Sequence, residues 1–199
     1  MERSESQKTS QSGRERLVEA SRQAFRAQSY HEVGVAAILG AAEVKAPTLY
    51  HHFGDKENLW TYWATSELSE IAAPIRASLE GAPVRKGLAA MARVIGRDLP
   101  FDLIQLLRDV DRLERAESKQ LVLNAYNAAV FDPVYSLLRR GVSSGELGEE
   151  PVRPLTDLFI RGALSLGPQL RKPQTSNEDA AAWWVRILFD GASKKPSAS

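Results

Sequence analysis

Residues 45–56 read KAPTLYHHFGDK, with two lysines bracketing a proline, a threonine, a tyrosine and two adjacent histidines. Three chemistries are open to such a set: metal ligation, acid–base catalysis and contact with an anion. Metal ligation fails on geometry. Neighbouring residues of a helix point about 100° apart, so His51 and His52 cannot close on one ion as an i, i+4 pair can. The chain has no cysteine, and its third histidine is His31, so no further ligand of the usual kind accompanies the pair. Histidine catalysis lacks a serine or cysteine nucleophile pattern beside it. Anion contact remains. Lys45 suits a phosphate or a guanine edge, Pro47 a thymine methyl, and Thr48 a thymine methyl or a phosphate. Tyr50, His51, His52 and Lys56 add hydrogen-bond donors, and neutral histidine donates without carrying a charge. Lys56 also falls in the first turn of a following helix, where backbone N–H groups favour an anion.

Side chains of these types need a scaffold that presents them, and the apolar pattern supplies one. Leu17, Ala20, Ala24 and Phe25 lie on one face of a helix over Gly13–Gln28. A short helix fits Ala36–Ala42. The next fits Lys45–His52, with Pro47 in the first turn where its missing N–H costs nothing. Val44, Leu49 and Phe53 face inward. Asp55 starts a long helix to about Leu79 by capping its free N–H groups. Two short helices behind a packing helix form a helix-turn-helix pattern, whose second helix enters a major groove N-terminus first. Ala46 and Thr48 keep that leading face short-chained. Further helices are expected at Val84–Arg97, Phe101–Leu113, Glu117–Val142, Pro154–Leu170 and Asn177–Ala192, with Pro133 kinking the longest near Phe131. The fold class is all-α, about nine helices with no alternating strand pattern. Polar segments over roughly 1–11 and at the C-terminal SKKPSAS read as disordered tails.

Charge is no guide. The formal net charge is +1, and residues 1–60 carry eight basic and eight acidic side chains. Any anion-binding surface must therefore be local. No apolar run is long enough for a membrane span, and the polar N-terminus has no signal-peptide core, so a cytoplasmic protein without membrane partners is expected.

The stretch LVEASRQAFRAQSYHEVGVAAILGAAEVKAPTLYHHFGDKENLW (17–60) closely resembles the DNA-binding region of TetR/AcrR-family transcriptional regulators. PTLYHHFGDKENL is its strongest part; the chain length and FDPVYSLLRRGVSSGEL resemble the family more weakly. Two positions depart from the pattern. Glu43 stands where the family usually has glycine in the turn, so that it either adopts left-handed backbone at some cost or the turn differs slightly. VGVAA (33–37) offers no side-chain donor, so base reading should rest on Lys45 to His51. The resemblance implies a three-helix DNA-binding domain over residues 12–60, which shares the helix from Asp55 with an effector-binding and dimerisation domain over 61–194. It further implies a double-stranded DNA operator, a homodimer, an unknown small apolar or amphipathic effector, no cofactor and no enzymatic activity.

For the larger part, the bulky side chains Trp60, Trp63, Met91, Phe101, Ile104, Leu107, Tyr126 and Phe131 are candidates to line an effector pocket, with Arg108 to orient a polar ligand. Plain core packing is the competing reading for each. Leu158, Phe159, Gly162, Ala163 and Leu166, with Trp183, Trp184, Ile187 and Leu188, form stripes on the last two helices that suit a two-fold interface. The expectation is a ligand-responsive regulator, most simply a repressor released from a near-palindromic operator. Its alternatives are a helix-turn-helix protein controlled by a protein partner, and an enzyme relying on carboxylate or serine chemistry in the second domain.

Overall fold

The computed structural model describes residues 12–167 and 180–192. Their elements are helical: α1 (Gly13–Ala27), α2 (Val35–Ala41), α3 (Ala46–Phe53), α4 (Lys56–Leu79), α5 (Val84–Arg93), α6 (Leu103–Asp111), α7 (Ala116–Tyr126), α8 (Asp132–Ser143), α9 (Val152–Ser165) and α10 (Ala180–Ala192). Two π-helical segments, Val94–Asp98 and Asn127–Phe131, continue α5 and join α7 to α8, so the described helical stretches number nine. The expected tails, and the ends of the two C-terminal helices over 168–170 and 177–179, lie outside the described residues.

The chain divides into two compact units. The first comprises the described residues up to Glu67 together with Ile104–Leu123; the second comprises Leu68–Leu103 and the described residues from Asn124 onward. Thus α6 and the start of α7 pack with the N-terminal helices, although they lie far along the chain. Both α4 and α7 contribute residues to each unit.

Local signals explain where the first helices begin and end. Ser12 caps α1 reciprocally: its hydroxyl accepts from the Glu15 amide (3.2 Å) and its own amide donates to the Glu15 carboxylate (2.9 Å). Leu17, Ala20, Ser21 and Phe25 then point into the core. The turn after α2 passes through Glu43, whose φ of 52° is left-handed, and the Val44 amide closes it onto the Leu39 carbonyl at 3.1 Å. A side chain other than glycine there costs about 1–2 kcal/mol. α3 ends on Gly54 (φ 80°), and its successor is capped by Asp55, which accepts from the Asn58 amide at 2.9 Å.

In the second unit α5, α8, α9 and α10 enclose a core that includes Leu88, Met91, Val134, Leu138, Phe159 and Phe189. The helix expected over Glu117–Val142, with a break near Phe131, is the continuous run of α7, the second π-helical segment and α8. Pro133, in the first turn of α8, cannot donate an i→i−4 bond. The wider turn ending at Phe131 takes up the break that the proline imposes. Among the described residues, no helix is long and apolar enough to cross a membrane.

Candidate nucleic-acid interface

The helix-turn-helix back is a closed apolar surface. Ile38 and Leu49 are fully buried and Phe53 nearly so, which fixes α2 and α3 against α1 and α4. On the opposite side Lys45, Pro47, Tyr50, His51 and His52 are exposed, and Tyr50 shows 57% of its surface. Lys45 precedes α3 in extended conformation, and Pro47 occupies its first turn. The histidine rings meet edge to face, centroids 4.9 Å apart, and among the described residues no three His, Asp or Glu groups gather as metal ligands. Five of the eight residues expected at this surface are therefore exposed.

The other three are placed differently. Ala46 is half-buried. Thr48 turns its methyl toward the start of α1: a Cβ on Gly13 would lie 3.0 Å from Thr48 Cγ2. That methyl is committed to packing. Lys56 does not stand free over a phosphate site. Its ammonium donates to the Val33 carbonyl at 2.9 Å and sits 4.2 Å from the centre of the Tyr30 ring. Burial lowers the Lys56 pKa, partly offset by Asp109. The helix-start argument located the residue correctly but could not see the carbonyl that occupies it. Val33 itself precedes α2 in a turn and is buried, so the donor-free VGVAA begins outside the helix.

Residues 17–61 match the family model of the bacterial regulatory proteins of the tetR family. The match covers α1 from Leu17, α2, α3 and the start of α4. No curated protein sequence gives a significant match. Solved structures agree in fold. A tetR-family regulatory protein from Rhodococcus RHA1 superposes with a TM-score of 0.70 at 13% identity, covering 94% of this chain and 100% of that one. The regulator PfmR from Thermus thermophilus gives 0.63 at 22%, covering 88% and 95%. FadR from Bacillus subtilis, in complex with stearoyl-CoA, gives 0.62 at 16%, covering 88% and 95%. The all-helical expectation and the helix-turn-helix reading both hold.

The helix-turn-helix region is tied to α6 and α7 by a polar network that the sequence did not announce. Buried Glu57 accepts from the Glu114 and Arg115 amides, both at 3.1 Å, and so caps the start of α7 from α4. Arg115 grips Asp55 with both terminal nitrogens (2.8 and 2.7 Å) and reaches Glu57 through Nε at 3.2 Å. Hydrogen bonding to Arg115 holds the Asp55 carboxyl below its ordinary value. Burial pushes Glu57 up, but the bonds from Glu114, Ser118 and Arg115 outweigh it and hold it low. Nearby, Asp109 is buried and accepts from the Tyr30 amide at 2.8 Å. Glu67, also buried, binds Arg26 at 2.7 Å. The one available signal was weak: the run of acidic and basic residues after Leu113 looks like an ordinary solvated turn.

The nine residues expected to line an effector pocket do not share one. Trp60 and Trp63 are core of the first unit, 5.9 Å apart, with Phe25 and Tyr30 beside them. Ile104, Leu107 and Arg108 belong to α6 in the same unit, and Ile104 and Arg108 are exposed. Met91, Phe101, Tyr126 and Phe131 fall in the second unit, where Met91 and Phe101 are buried. Phe131 stacks on Tyr135 (6.1 Å) under the Arg153 guanidinium (5.1 Å). Burial, then Asp157, raises the Tyr126 pKa to about 12, against an opposing Arg161. The largest apolar side chains are those most readily drawn into whichever core is nearest, so size selected core rather than cavity. The second unit instead has a cleft of about 920 Å³ bounded by the C-terminal half of α4, the second π-helical segment and α8. Ala73, Ala77, Leu79, Pro133 and Leu137 make it apolar, while Arg76, Glu80, Asp132, Ser136 and Arg140 bring polar groups.

The stripes on α9 and α10 are likewise divided. Phe159, Ala163 and Leu188 are buried within the chain itself, and Leu166 and Trp184 are partly covered. Gly162 allows that close packing: a Cβ there would lie 2.2 Å from Trp184 Cζ2. Leu158 (54%), Trp183 (41%) and Ile187 (42%) remain exposed.

Proposed function

We propose that this chain is a ligand-responsive transcriptional repressor that binds a near-palindromic operator as a two-fold dimer. The observation that carries the reading is the exposed face of Lys45, Pro47, Tyr50, His51 and His52 on a helix whose opposite side is locked by Leu49 and Phe53. Such a face combines a cation, hydrogen-bond donors and a methyl-seeking proline where a recognition helix meets base edges and phosphates. Leu158, Trp183 and Ile187 are the anchors of the dimer, because large apolar side chains left in water seek a partner surface.

The effector occupies the cleft between α4 and α8, a revision of the residue set expected from the sequence. Its volume of about 920 Å³ fits the usual ~300–1,000 Å³ of small-molecule sites. Opposed charges over an apolar floor favour an amphipathic ligand. A small molecule is supported over a protein partner by the concavity of this surface, and the structural neighbour FadR was solved with stearoyl-CoA bound. Both α4 and α7 contribute to each unit, so a ligand that shifts their C-terminal ends biases the helices that carry Asp55, Glu57 and Arg115.

Selection of binding sites from random duplexes tests the reading. The expected consensus is a near-palindrome whose half-sites place two recognition helices about 34 Å apart. Few base pairs should dominate, each mismatch costing near the low end of ~1–3 kcal/mol. An asymmetric consensus, or no enrichment, overturns the proposal.

A further inference from the structure

A second cleft, of about 560 Å³, lies in the second unit between α5 and α10, and its lining is cationic. Arg85, Lys86 and Arg93 come from α5 and Arg186 from α10, around a floor of Ala89, Ala182 and Val185. Among the described residues, no carboxylate lines it. In a protein whose formal net charge is +1, four cations around one concavity form a local concentration of charge. The spacing makes it so: Arg85, Ala89 and Arg93 follow one another at i, i+4 and i+8, with Lys86 three residues before Ala89, so one face of α5 is basic at both ends and small in the middle.

We propose that this cleft is a binding site for a small phosphate-bearing molecule with a compact apolar part. Arg85 is held for the purpose. Its guanidinium lies 4.0 Å from the centre of the Phe189 ring, and that ring is fully buried. A guanidinium packed by its face on an aromatic ring keeps its in-plane N–H groups for bidentate acceptors. A phosphomonoester brings about −1.5 to −2 charge at neutral pH and three strong acceptor oxygens, a better match to several converging cations than a single carboxylate. Arg186 pairs with Asp190 at 3.8 Å, and both are well exposed, so the pair opens at little cost. Ala89, Ala182 and Val185 supply the apolar floor. This site is separate from the α4–α8 cleft and does not depend on the function assigned to that one.

The test is calorimetric titration of the full-length protein at fixed ionic strength with pyrophosphate, phenyl phosphate and inorganic phosphate. Saturable binding at one site per chain is expected, with phenyl phosphate tighter than inorganic phosphate because of the apolar floor. Lys86→Gln combined with Arg93→Gln should weaken pyrophosphate binding about tenfold or more, the scale of lost charge-assisted hydrogen bonds. Ala182→Leu plugs the cleft from an exposed position without altering charge, and should remove the phenyl phosphate advantage. Lys45→Gln should change nothing. The proposal is overturned by an absence of saturable binding, by a phenyl phosphate advantage that survives Ala182→Leu, or by sensitivity to Lys45→Gln instead of the cleft variants, which would place the anion on the DNA-facing helix.

Discussion

The two lysines that bracket α3 should respond oppositely to truncation. Lys45 is exposed at the start of the recognition helix, whereas the Lys56 ammonium is engaged by the Val33 carbonyl at 2.9 Å and the Tyr30 ring at 4.2 Å. If Lys45 neutralises one phosphate, Lys45→Ala should flatten the dependence of log K on log salt by ~0.9 per contact, or about two for a dimer. Fold stability should be unchanged, because an exposed side chain is lost. Lys56→Ala deletes a hydrogen bond worth ~0.5–1.5 kcal/mol and a cation–ring contact worth ~0.5–2 kcal/mol, and leaves the Val33 carbonyl without that donor. A loss of ~1–3 kcal/mol lowers the melting temperature by about 2–4 °C per kcal/mol at this chain length. The salt slope should move by much less than for Lys45→Ala.

Fluorescence anisotropy with a labelled non-specific duplex, titrated across salt, measures the slope without knowledge of the operator. Thermal denaturation of the same samples supplies the second axis. Lys56→Met keeps the apolar stem while removing the charge, and should fall between wild type and Lys56→Ala in stability. A slope reduced by about two in Lys56→Ala with an unchanged melting temperature would refute the reasoning, since the ammonium would then be reaching DNA and not Val33.

Glycine replacements in two helices should differ in sign. Gly40→Ala meets nothing within 4 Å and should stabilise by up to ~1 kcal/mol through helix propensity, whereas Gly162→Ala drives a methyl into Trp184 and should cost ~1–3 kcal/mol despite the same propensity gain. Thermal melts decide, and Gly162→Ala combined with Trp184→Leu should recover most of the loss. Trp183→Glu with Ile187→Glu should yield monomers in sedimentation, because both side chains are exposed in the single chain; a dimer that persists would move the interface elsewhere. Asp55 and Glu57 are held below their ordinary values, so the stability they contribute is fully present above the unfolded carboxyl values near 4 and is lost as pH falls through the depressed ones. Urea midpoints should therefore drop on acidification toward pH ~3, and less steeply in Arg115→Met, which already lacks the bonds that depress both groups.

What the sequence made legible here is local. Pro47 in the first turn of α3 and Asp55 before α4 each act within a few residues of themselves, so spacing and residue type reveal them. The same holds for the recognition face, because Leu49 and Phe53 bury one side of α3 and thereby expose Tyr50, His51 and His52. Partnerships across distance were hidden. The match of Lys56 to Val33 is separated by 23 positions and that of Glu57 to Arg115 by 58. No periodicity in either segment encodes them. Large side chains misled for a related reason: Trp60 and Trp63 read as cavity walls, but a tryptophan buries as well in a core as beside a ligand.

The distant contacts are also those that the proposed ligand response requires. A recognition helix held only by neighbouring residues would bind operator in any state of the rest of the chain. Here α4 and α7 each contribute to both units, and Glu57 on one caps the first turn of the other. A shift of α7 relative to α4 would strain or break the charge-assisted bonds of Asp55 and Glu57 to Arg115, so the proposed ligand response would act against these bonds. A ligand with unequal affinity for two arrangements of these helices changes their populations, and by no more than that difference in affinity. On the function proposed above, the network from Asp55 to Arg115 is where the coupling energy should be sought. Arg115→Met should leave operator binding by the isolated protein within a few-fold of wild type while reducing the factor by which effector weakens it.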